Sequence, residues 1–226
     1  MVFPILSIYY NNDSLSNHRE IEKRVNKRKF PLGKNDENLL LNPPANSHIL
    51  LIYEDQLDLD NAIATYFNEG LKHNQLCVHS SVSLGNKDYL ENFSLQITNY
   101  RENLEKGNLK IVDLVPHYVN AMVNNLKPFD DLREEIVSIA SRDKNQFDNK
   151  YIRLTGDCAA LLLKNKHFEN CVSVEEWRYQ NPLKGSYLCP YPRSLFEKFP
   201  FNAYVSRLVK YHDTIIDSNG KLILRK

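Results

Sequence analysis

Four carboxylates lie between the first apolar strand of the sequence and the helix that follows it. The strand runs from Ile49 to Ile52, and the loop after it carries acids at four positions: Glu54, Asp55, Asp58 and Asp60. A phosphate-binding loop at this position is rich in glycine and has a lysine, because converging N–H groups and a positive charge hold the phosphate oxygens. This loop has neither, and each close pair of like charges adds roughly 1 kcal/mol or more of repulsion. The sequence therefore predicts that no triphosphate binds here unless metal ions bridge it.

The same carboxylates have a structural use. Asp58 or Asp60 could cap the following helix, and acids in a first helical turn interact favourably with the helix dipole. A cation site at Glu54, Asp55 and Asp58 is the alternative, because hard cations prefer several oxygen ligands, although usually in a loop shaped by glycine. Capping is the simpler interpretation.

A further acid follows a later strand, in the segment LTGDC at 154–158. Gly156 ends the strand and Asp157 begins a helix. In an ATPase an acid at a strand end would hold magnesium, whereas in a structural role it would cap the helix. With no lysine in the acidic loop, phosphoryl transfer lacks one of its main electrostatic parts. Helix capping is therefore preferred for Asp157, and no catalytic residue is predicted.

Aromatic side chains and an arginine form another group towards the end of the chain. Trp177 lies in the segment EEW, and Tyr191 and Arg193 lie in LCPYPRSLF. Aromatic walls with one arginine suit a small organic or anionic ligand. Trp177 could equally be a core residue. Arg193 could instead form an internal ion pair with Glu54 or Asp157, and that pairing is the simpler interpretation.

The cysteines and histidines lack the spacing of a metal site. Cys77 and His79 would point to the same face of a strand, but two further ligands are not placed by the sequence. The four cysteines contain no C-x-x-C pair and are interpreted as buried, reduced thiols of a cytoplasmic protein. Ser80 and Ser81 lie in no nucleophile elbow, so hydrolase chemistry is not supported. Neither a metal nor a cofactor is predicted.

Short apolar strands alternate with helical patterns from His48 onward. Strands are predicted at 48–53, 75–81, 109–114, 151–156 and 186–191. Helices are predicted at 60–73, 86–105, 117–125, 128–143, 157–165, 173–180 and 192–210. Two apolar runs around Asn219 and Gly220 predict a C-terminal β-hairpin. Apolar strands separated by helices predict an α/β fold, with a mainly parallel sheet flanked by helices on both faces.

Sheets of this kind place ligands at the carboxyl ends of their strands. That rule selects residues that end the predicted strands or follow them, and Trp177 is added as an aromatic wall. The candidate ligand-binding residues are Tyr53, Glu54, Ser80, Ser81, Gly156, Asp157, Trp177, Tyr191 and Arg193.

Composition and charge limit the partners. The 226 residues carry a formal net charge of +1, which gives no whole-chain argument for nucleic acid. Residues 1–46 are rich in Asn, Lys and Arg and are predicted to form a basic, partly flexible arm ahead of a domain at 47–226. The stretch 18–29 could form a basic helix but has no partner recognition helix for DNA. No apolar stretch reaches the roughly 20 residues of a membrane helix, so no membrane contact is expected.

Four segments resemble the MEDS domain, a sensory domain named for methanogen and methylotroph signalling proteins and for the dichloromethane-responsive repressor. They are HILLIYEDQLDLDNAIATYFNEGLKHNQLCVH, YIRLTGDCAALL, VSVEEW and LCPYPRSLF, in the same order as in the family. The resemblance covers about residues 48–215. The resemblance implies a fold similar to that of KaiC- and RecA-like P-loop ATPases, with a degenerate nucleotide site. It also implies a sensor of a ligand or signal, often fused to a histidine kinase or a DNA-binding region.

We therefore expect a non-enzymatic sensory module in signal transduction or transcriptional regulation. It would bind a small ligand or a protein partner at the carboxyl ends of its strands. No kinase core or helix-turn-helix is recognisable, so its output would pass to a histidine kinase, to a transcription regulator or through the arm. The alternatives are a divergent KaiC/RecA-like ATPase that uses Asp157, and a DNA-associated regulator that acts through the basic arm.

Overall fold

The computed structural model describes residues 34–141, 150–198 and 203–217. Helices and strands alternate along most of this length. In chain order the elements are α1 (Lys34–Leu41), β1 (Ser47–Tyr53), α2 (Gln56–Lys72), β2 (Leu76–Ser81), α3 (Lys87–Gln96), α4 (Tyr100–Glu105), β3 (Leu109–Asp113), α5 (Val115–Met122), α6 (Lys127–Ala140), β4 (Ile152–Gly156), α7 (Cys158–Lys164), α8 (Phe168–Gln180), β5 (Gly185–Pro192), α9 (Arg193–Lys198), α10 (Ala203–Lys210) and β6 (Thr214–Asp217). Within these ranges, no helix has both the length and the apolar character needed to cross a membrane.

Six strands form one sheet in the order β3-β2-β4-β5-β1-β6. Each strand pairing within the described part of the chain is parallel. β1 and β2 are buried along nearly their whole length, as expected when helices cover both faces of a parallel sheet. The predicted α/β class with a mainly parallel sheet is therefore confirmed.

Alternate residues of each strand face opposite layers of helices. On one face, the hydroxyl of Tyr66 in α2 donates a hydrogen bond to the carbonyl oxygen of Ser186 (2.9 Å). On the other face, the hydroxyl of Tyr191 in β5 donates to Glu175 in α8 (2.6 Å). This second face carries the main apolar core, whose members include Leu50, Val78, Leu154, Val172 and Leu208.

One buried arginine attaches α1 to the sheet. Nη1 of Arg153 in β4 donates to the carbonyl oxygen of Leu40 (2.8 Å), and Nη2 donates to that of Leu41 (2.7 Å). The Leu40 side chain is also completely buried. α1 thus packs on the sheet although it falls within the predicted arm at 1–46, and the boundary between arm and domain stays a prediction.

Two of the predicted helices are each divided in the structure. The segment 86–105 forms α3 and α4, because Asn99 between them adopts a left-handed backbone conformation with φ of 52°. The segment 192–210 forms α9 and α10, and residues 199–202 between them lie outside the described ranges. The first run of the predicted hairpin is β6, which pairs in parallel with β1. Its turn and second run, like the basic helix at 18–29, lie outside the described residues.

Candidate functional site

Asp157 lies at the rim formed by the carboxyl ends of β2 and β4. Its carboxylate accepts hydrogen bonds from Oγ of Ser81 (2.5 Å) and from the backbone N–H of Val82 (2.9 Å). It occupies the N-cap position of α7 but makes no side-chain capping bond, so the predicted capping role is wrong. Burial raises the pKa of Asp157 above its ordinary value, although the two hydrogen bonds lower it in part. The carboxylate therefore fastens the loop after β2 to the end of β4.

Two tyrosines share this rim with Asp157. Burial, together with the charges of Asp157 and Asp60, raises the pKa of Tyr53 to about 12. Burial likewise raises the pKa of Tyr89 in α3, and the charges of the same two acids add to that rise. A ligand at the rim would therefore meet phenolic hydroxyls and carboxylates. Phosphate would be repelled by the carboxylates.

The acidic loop after β1 is closed by Asp55. Its side chain accepts a hydrogen bond from the backbone N–H of Asp58 (3.0 Å) at the start of α2. Asp60 accepts a bond from Nε2 of Gln56 (2.7 Å). The cap is thus Asp55, and the prediction of Asp58 or Asp60 is wrong. The predicted structural role of this acidic loop is nevertheless confirmed, because its carboxylates accept hydrogen bonds from groups at the start of α2.

Arg193 at the start of α9 is buried and paired with two acids. Its Nε lies 2.9 Å from Oε2 of Glu54, and its Nη2 pairs with Asp217 of β6. The predicted internal pair with Glu54 is confirmed, whereas Asp217 is a partner that the sequence reasoning missed. The guanidinium therefore joins the loop after β1 to α9 and β6.

Tyr191 points away from the rim, into a buried polar cluster beside α8. Its hydroxyl donates to Oε1 of Glu175 (2.6 Å), and Nη1 of Arg178 lies 3.1 Å from the same oxygen. Burial by itself would raise the pKa of Glu175. The charge of Arg178 outweighs it and brings that pKa well below its ordinary value. Tyr191 thus orients a buried carboxylate and does not form a wall at the rim.

A narrow apolar pocket lies between α6, α8 and the face of the sheet. Its cavity volume is only about 20 Å³, which is room for little more than one water molecule. Its walls are mainly apolar and aromatic, with a few polar groups from Ser80, Arg133, Arg178 and Tyr187. The apolar lining residues are Leu114, Phe129, Leu132, Ile136, Leu154, Trp177 and Leu183.

Trp177 forms one wall of this pocket and is held from two sides. Its indole Nε1 donates to Oδ1 of Asp130 (2.8 Å), and its ring centroid lies 5.5 Å from that of Phe129. Both partners belong to α6, so the indole links α6 to α8 across the mouth of the pocket. Trp177 is partly buried and serves both as core and as pocket wall.

The nine predicted site residues do not converge on one crevice. Tyr53, Ser81 and Asp157 share the rim, and Glu54 and Arg193 form an ion pair beside it. Ser80 and Trp177 line the apolar pocket. Gly156 packs against Arg178, which is another lining residue of this pocket. Tyr191 belongs to the buried polar cluster.

Sequence reasoning missed Glu175, Arg178 and Arg133. The first two do carry a signal, because a carboxylate and a guanidinium spaced i,i+3 in VSVEEWRY lie on one face of a helix. Arg133 has no such signal, since it lies in a stretch of α6 that also carries several exposed charges. Its place in the pocket depends on how α6 packs against α8.

The fold and the acidic rim define an α/β protein whose loop after β1 is held by the carboxylate of Asp55. A family model for MEDS, the MEthanogen/methylotroph, DcmR Sensory domain, matches residues 47–205. The chain belongs to the MEDS family, as its sequence resemblance predicts. Among solved structures, the flagellar accessory protein FlaH from Methanocaldococcus jannaschii is similar over 82% of this chain and 77% of that chain, with 11% identity and a TM-score of 0.42. Comparison with curated proteins gives no match.

Proposed function

We propose that this chain is a non-enzymatic sensory module that binds a small organic ligand in the apolar pocket between α6, α8 and the sheet. Membership of a sensory family supports the role in signalling. The observation that carries the choice of site is the pocket itself, where the indole of Trp177 lies close to the guanidinium groups of Arg133 and Arg178. Apolar walls with a few convergent polar groups are the usual composition of a small-molecule site.

The pocket lining defines the chemistry of the ligand. Aromatic and aliphatic walls favour an apolar body. The cavity between the helices measures only about 20 Å³, so α6 and α8 would have to move apart to admit it. Nε of Arg133 is buried and has no hydrogen-bond partner within the described part of the chain. An N–H group left unpaired in this way favours a ligand that carries a hydrogen-bond acceptor or a negative charge. The ligand class is therefore a small organic molecule with one acceptor or anionic group.

The two helices that enclose the pocket offer a route for the signal. The bond between Trp177 and Asp130 joins α8 to α6, so a ligand between these helices would change how they pack. A protein partner, such as a histidine kinase or a transcription regulator, would then respond to α6 and α8. This readout rests on the proposed pocket ligand.

Trp177 provides a direct test, because it is the only tryptophan of the chain. Small organic acids, ketones and alcohols are titrated while tryptophan fluorescence and the melting temperature are recorded. A ligand of the pocket is expected to change the emission and to raise the melting temperature in a saturable way. Leu132→Phe, which fills the pocket, should abolish both effects. Leu161→Phe changes a half-buried leucine outside the pocket and should preserve them.

Two other outcomes would redirect the proposal. If no compound alters either signal but a protein partner protects the rim residues, the chain is a protein-interaction module. If ATP with magnesium binds below millimolar concentration, or is turned over in a way that Asp157→Asn abolishes, the divergent ATPase is favoured. We expect no such binding, because the acids after β1 repel phosphate.

The remaining alternative, a DNA-associated regulator, concerns residues 18–29, which lie outside the described residues. DNA binding by this segment can be tested separately. DNA retention that falls steeply with salt and disappears when residues 1–33 are removed would favour it.

A further inference from the structure

Four buried side chains with metal-binding atoms meet on the α8 face of the sheet. They are His48 of β1, Glu175 of α8, Cys189 of β5 and His212, which precedes β6. One ligand atom from each lies within 4.8 Å of all the others. Nε2 of His48 is 3.0 Å from Oε2 of Glu175 and 3.1 Å from Sγ of Cys189. We call these four residues the His–Cys–Glu cluster.

The two imidazoles of this cluster are oriented by backbone carbonyls. Nδ1 of His48 lies 2.7 Å from the carbonyl oxygen of Tyr211, and Nδ1 of His212 lies 2.7 Å from that of Leu208. A carbonyl oxygen only accepts, so each Nδ1 carries a hydrogen and each neutral ring directs the lone pair of Nε2 into the cluster. This is the arrangement by which proteins fix the tautomer of a metal-binding histidine.

The cluster has too few protons for its acceptors. The thiol of Cys189 can supply one hydrogen bond, to His48 or to Glu175, which lies 3.6 Å away. Nε2 of His212 is then left with no hydrogen-bond partner among the described residues, although it faces Oε2 of Glu175 at 3.7 Å. A buried lone pair directed at a carboxylate oxygen is unfavourable unless a cation lies between them.

We propose that the His–Cys–Glu cluster binds a divalent transition metal ion, with zinc as the first choice. Two imidazole nitrogens, one thiolate and one carboxylate are ligand types that zinc accepts in tetrahedral sites. The edges of such a tetrahedron are about 3.3–3.8 Å for zinc–ligand bonds of ordinary length. Four of the distances within the cluster are 3.0, 3.1, 3.6 and 3.7 Å, and every pair lies within 4.8 Å, so side-chain movements of about 1 Å would close the shell.

Neighbouring groups support the same ligand set. Tyr191 donates to Oε1 of Glu175, and Nη1 of Arg178 lies 3.1 Å from that oxygen and 3.2 Å from Oε2. These bonds hold the carboxylate with Oε2 beside the imidazoles. Nη1 of Arg178 lies 3.3 Å from Sγ of Cys189. A thiolate and the carboxylate would supply two negative charges to a divalent ion and to the guanidinium of Arg178 beside it.

The site is closed, which defines its role. All four ligands are buried, and four protein ligands leave no position for a substrate. The ion would therefore tie β1, β5, α8 and the segment before β6 together, and it would enter during folding. This role is independent of the pocket ligand.

The test begins with metal analysis of the full-length protein purified from cells grown with added zinc. The expected result is about one zinc per chain, since one tetrahedral set holds one ion. Cys189→Ser and His212→Gln should each lower the affinity for the ion by more than the roughly 10- to 100-fold typical of a change beyond the ligands, so that the purified variants lose the ion. Cys171→Ser and His79→Gln alter an equally buried cysteine and histidine outside the cluster and should retain the ion.

Cobalt substitution covers the case in which the cluster variants fail to fold. The protein is unfolded, stripped with a chelator and refolded with Co²⁺. Tetrahedral d–d bands and a thiolate-to-cobalt charge-transfer band are expected. A variant in which Cys77, Cys158 and Cys171 are all changed to serine keeps Cys189 as the only cysteine and should keep the charge-transfer band.

Two results would overturn the proposal. One is wild-type protein that folds fully yet binds neither zinc from the cells nor cobalt on refolding, which would make the cluster a hydrogen-bond network. The other is metal that stays bound at full stoichiometry in both Cys189→Ser and His212→Gln, which would place the ion elsewhere.

Discussion

Nη2 of Arg178 lies 2.8 Å from the position that a β-carbon on Gly156 would occupy. Gly156 ends β4, and Arg178 crosses beneath it from α8 while holding Glu175 on its other side. The absence of a side chain at Gly156 therefore lets one guanidinium contact both the apolar pocket and the His–Cys–Glu cluster. This contact explains a glycine that the sequence reasoning assigned to ligand binding.

Gly156→Ala should destabilise the fold by about 1–3 kcal/mol, the usual cost of overpacking a core. The end of an arginine is often free to move, but Arg178 is fully surrounded and bonded to Glu175, so it cannot withdraw cheaply. Urea unfolding measures the effect. Gly85→Ala is the control, because no atom lies within 4 Å of its added β-carbon. Equal stability of the two variants would contradict the close packing.

Arg193→Ala should destabilise the protein by about 3–5 kcal/mol, because it removes the buried guanidinium that pairs with the largely buried Asp217. Glu54→Gln should cost less than about 1 kcal/mol, since the Glu54 side chain is 50% exposed. Thermal or urea unfolding of both variants checks the ranking. If Glu54→Gln proved as damaging as Arg193→Ala, the pair with Glu54 would carry the stability instead of the pair with Asp217.

His79 should make stability depend on pH. Burial lowers its pKa from 6.5 to about 3, so between these values the folded protein binds fewer protons than the unfolded chain. Stability therefore rises with pH in that window and is lost on acidification, by about 2 kcal/mol from pH 6.5 to about pH 5.

Unfolding curves of His79→Gln, measured across the same pH range, should lack this part of the loss. His73→Gln removes a half-exposed imidazole and controls for the loss of a histidine as such. A pH dependence that is unchanged in His79→Gln would mean that other groups cause it.

Two truncations should separate α1 from the residues before it. Removing residues 1–33 should leave the melting temperature nearly unchanged, because terminal segments of domains commonly tolerate truncation. Removing residues 1–41 deprives Arg153 of the carbonyls of Leu40 and Leu41, and bonds to a charged group contribute roughly 1.5–3 kcal/mol each. A large fall in melting temperature is expected only for the longer truncation. Equal melting temperatures would show that α1 contributes nothing to the sheet.

Much of the fold can be predicted from local pattern. The run at Ile49–Ile52 is apolar at every position, which is typical of a parallel strand covered on both faces. Apolar runs of this kind, separated by helical patterns, predict five strands. Both ends of each predicted strand lie within two residues of the observed ends. The helix caps are less predictable, since Asp55, Asp58 and Asp60 are chemically equivalent and only the backbone geometry selects Asp55.

The α/β class, the family and the absence of a glycine-rich loop with a lysine after β1 can all be predicted from the sequence, because each depends on residues that are neighbours in the chain. Which side chains meet depends on the tertiary structure. His48, Glu175, Cys189 and His212 are separated by long stretches of sequence. They come together because β1 pairs with β5 and β6 and α8 packs beneath them. The direction in which each strand side chain points also depends on the tertiary structure. The pleat of β5 turns Tyr191 towards Glu175, whereas Tyr53 at the end of β1 lies at the rim. Contacts between residues so far apart in the chain cannot be predicted from residue spacing, because they depend on strand register and helix packing over the whole sheet.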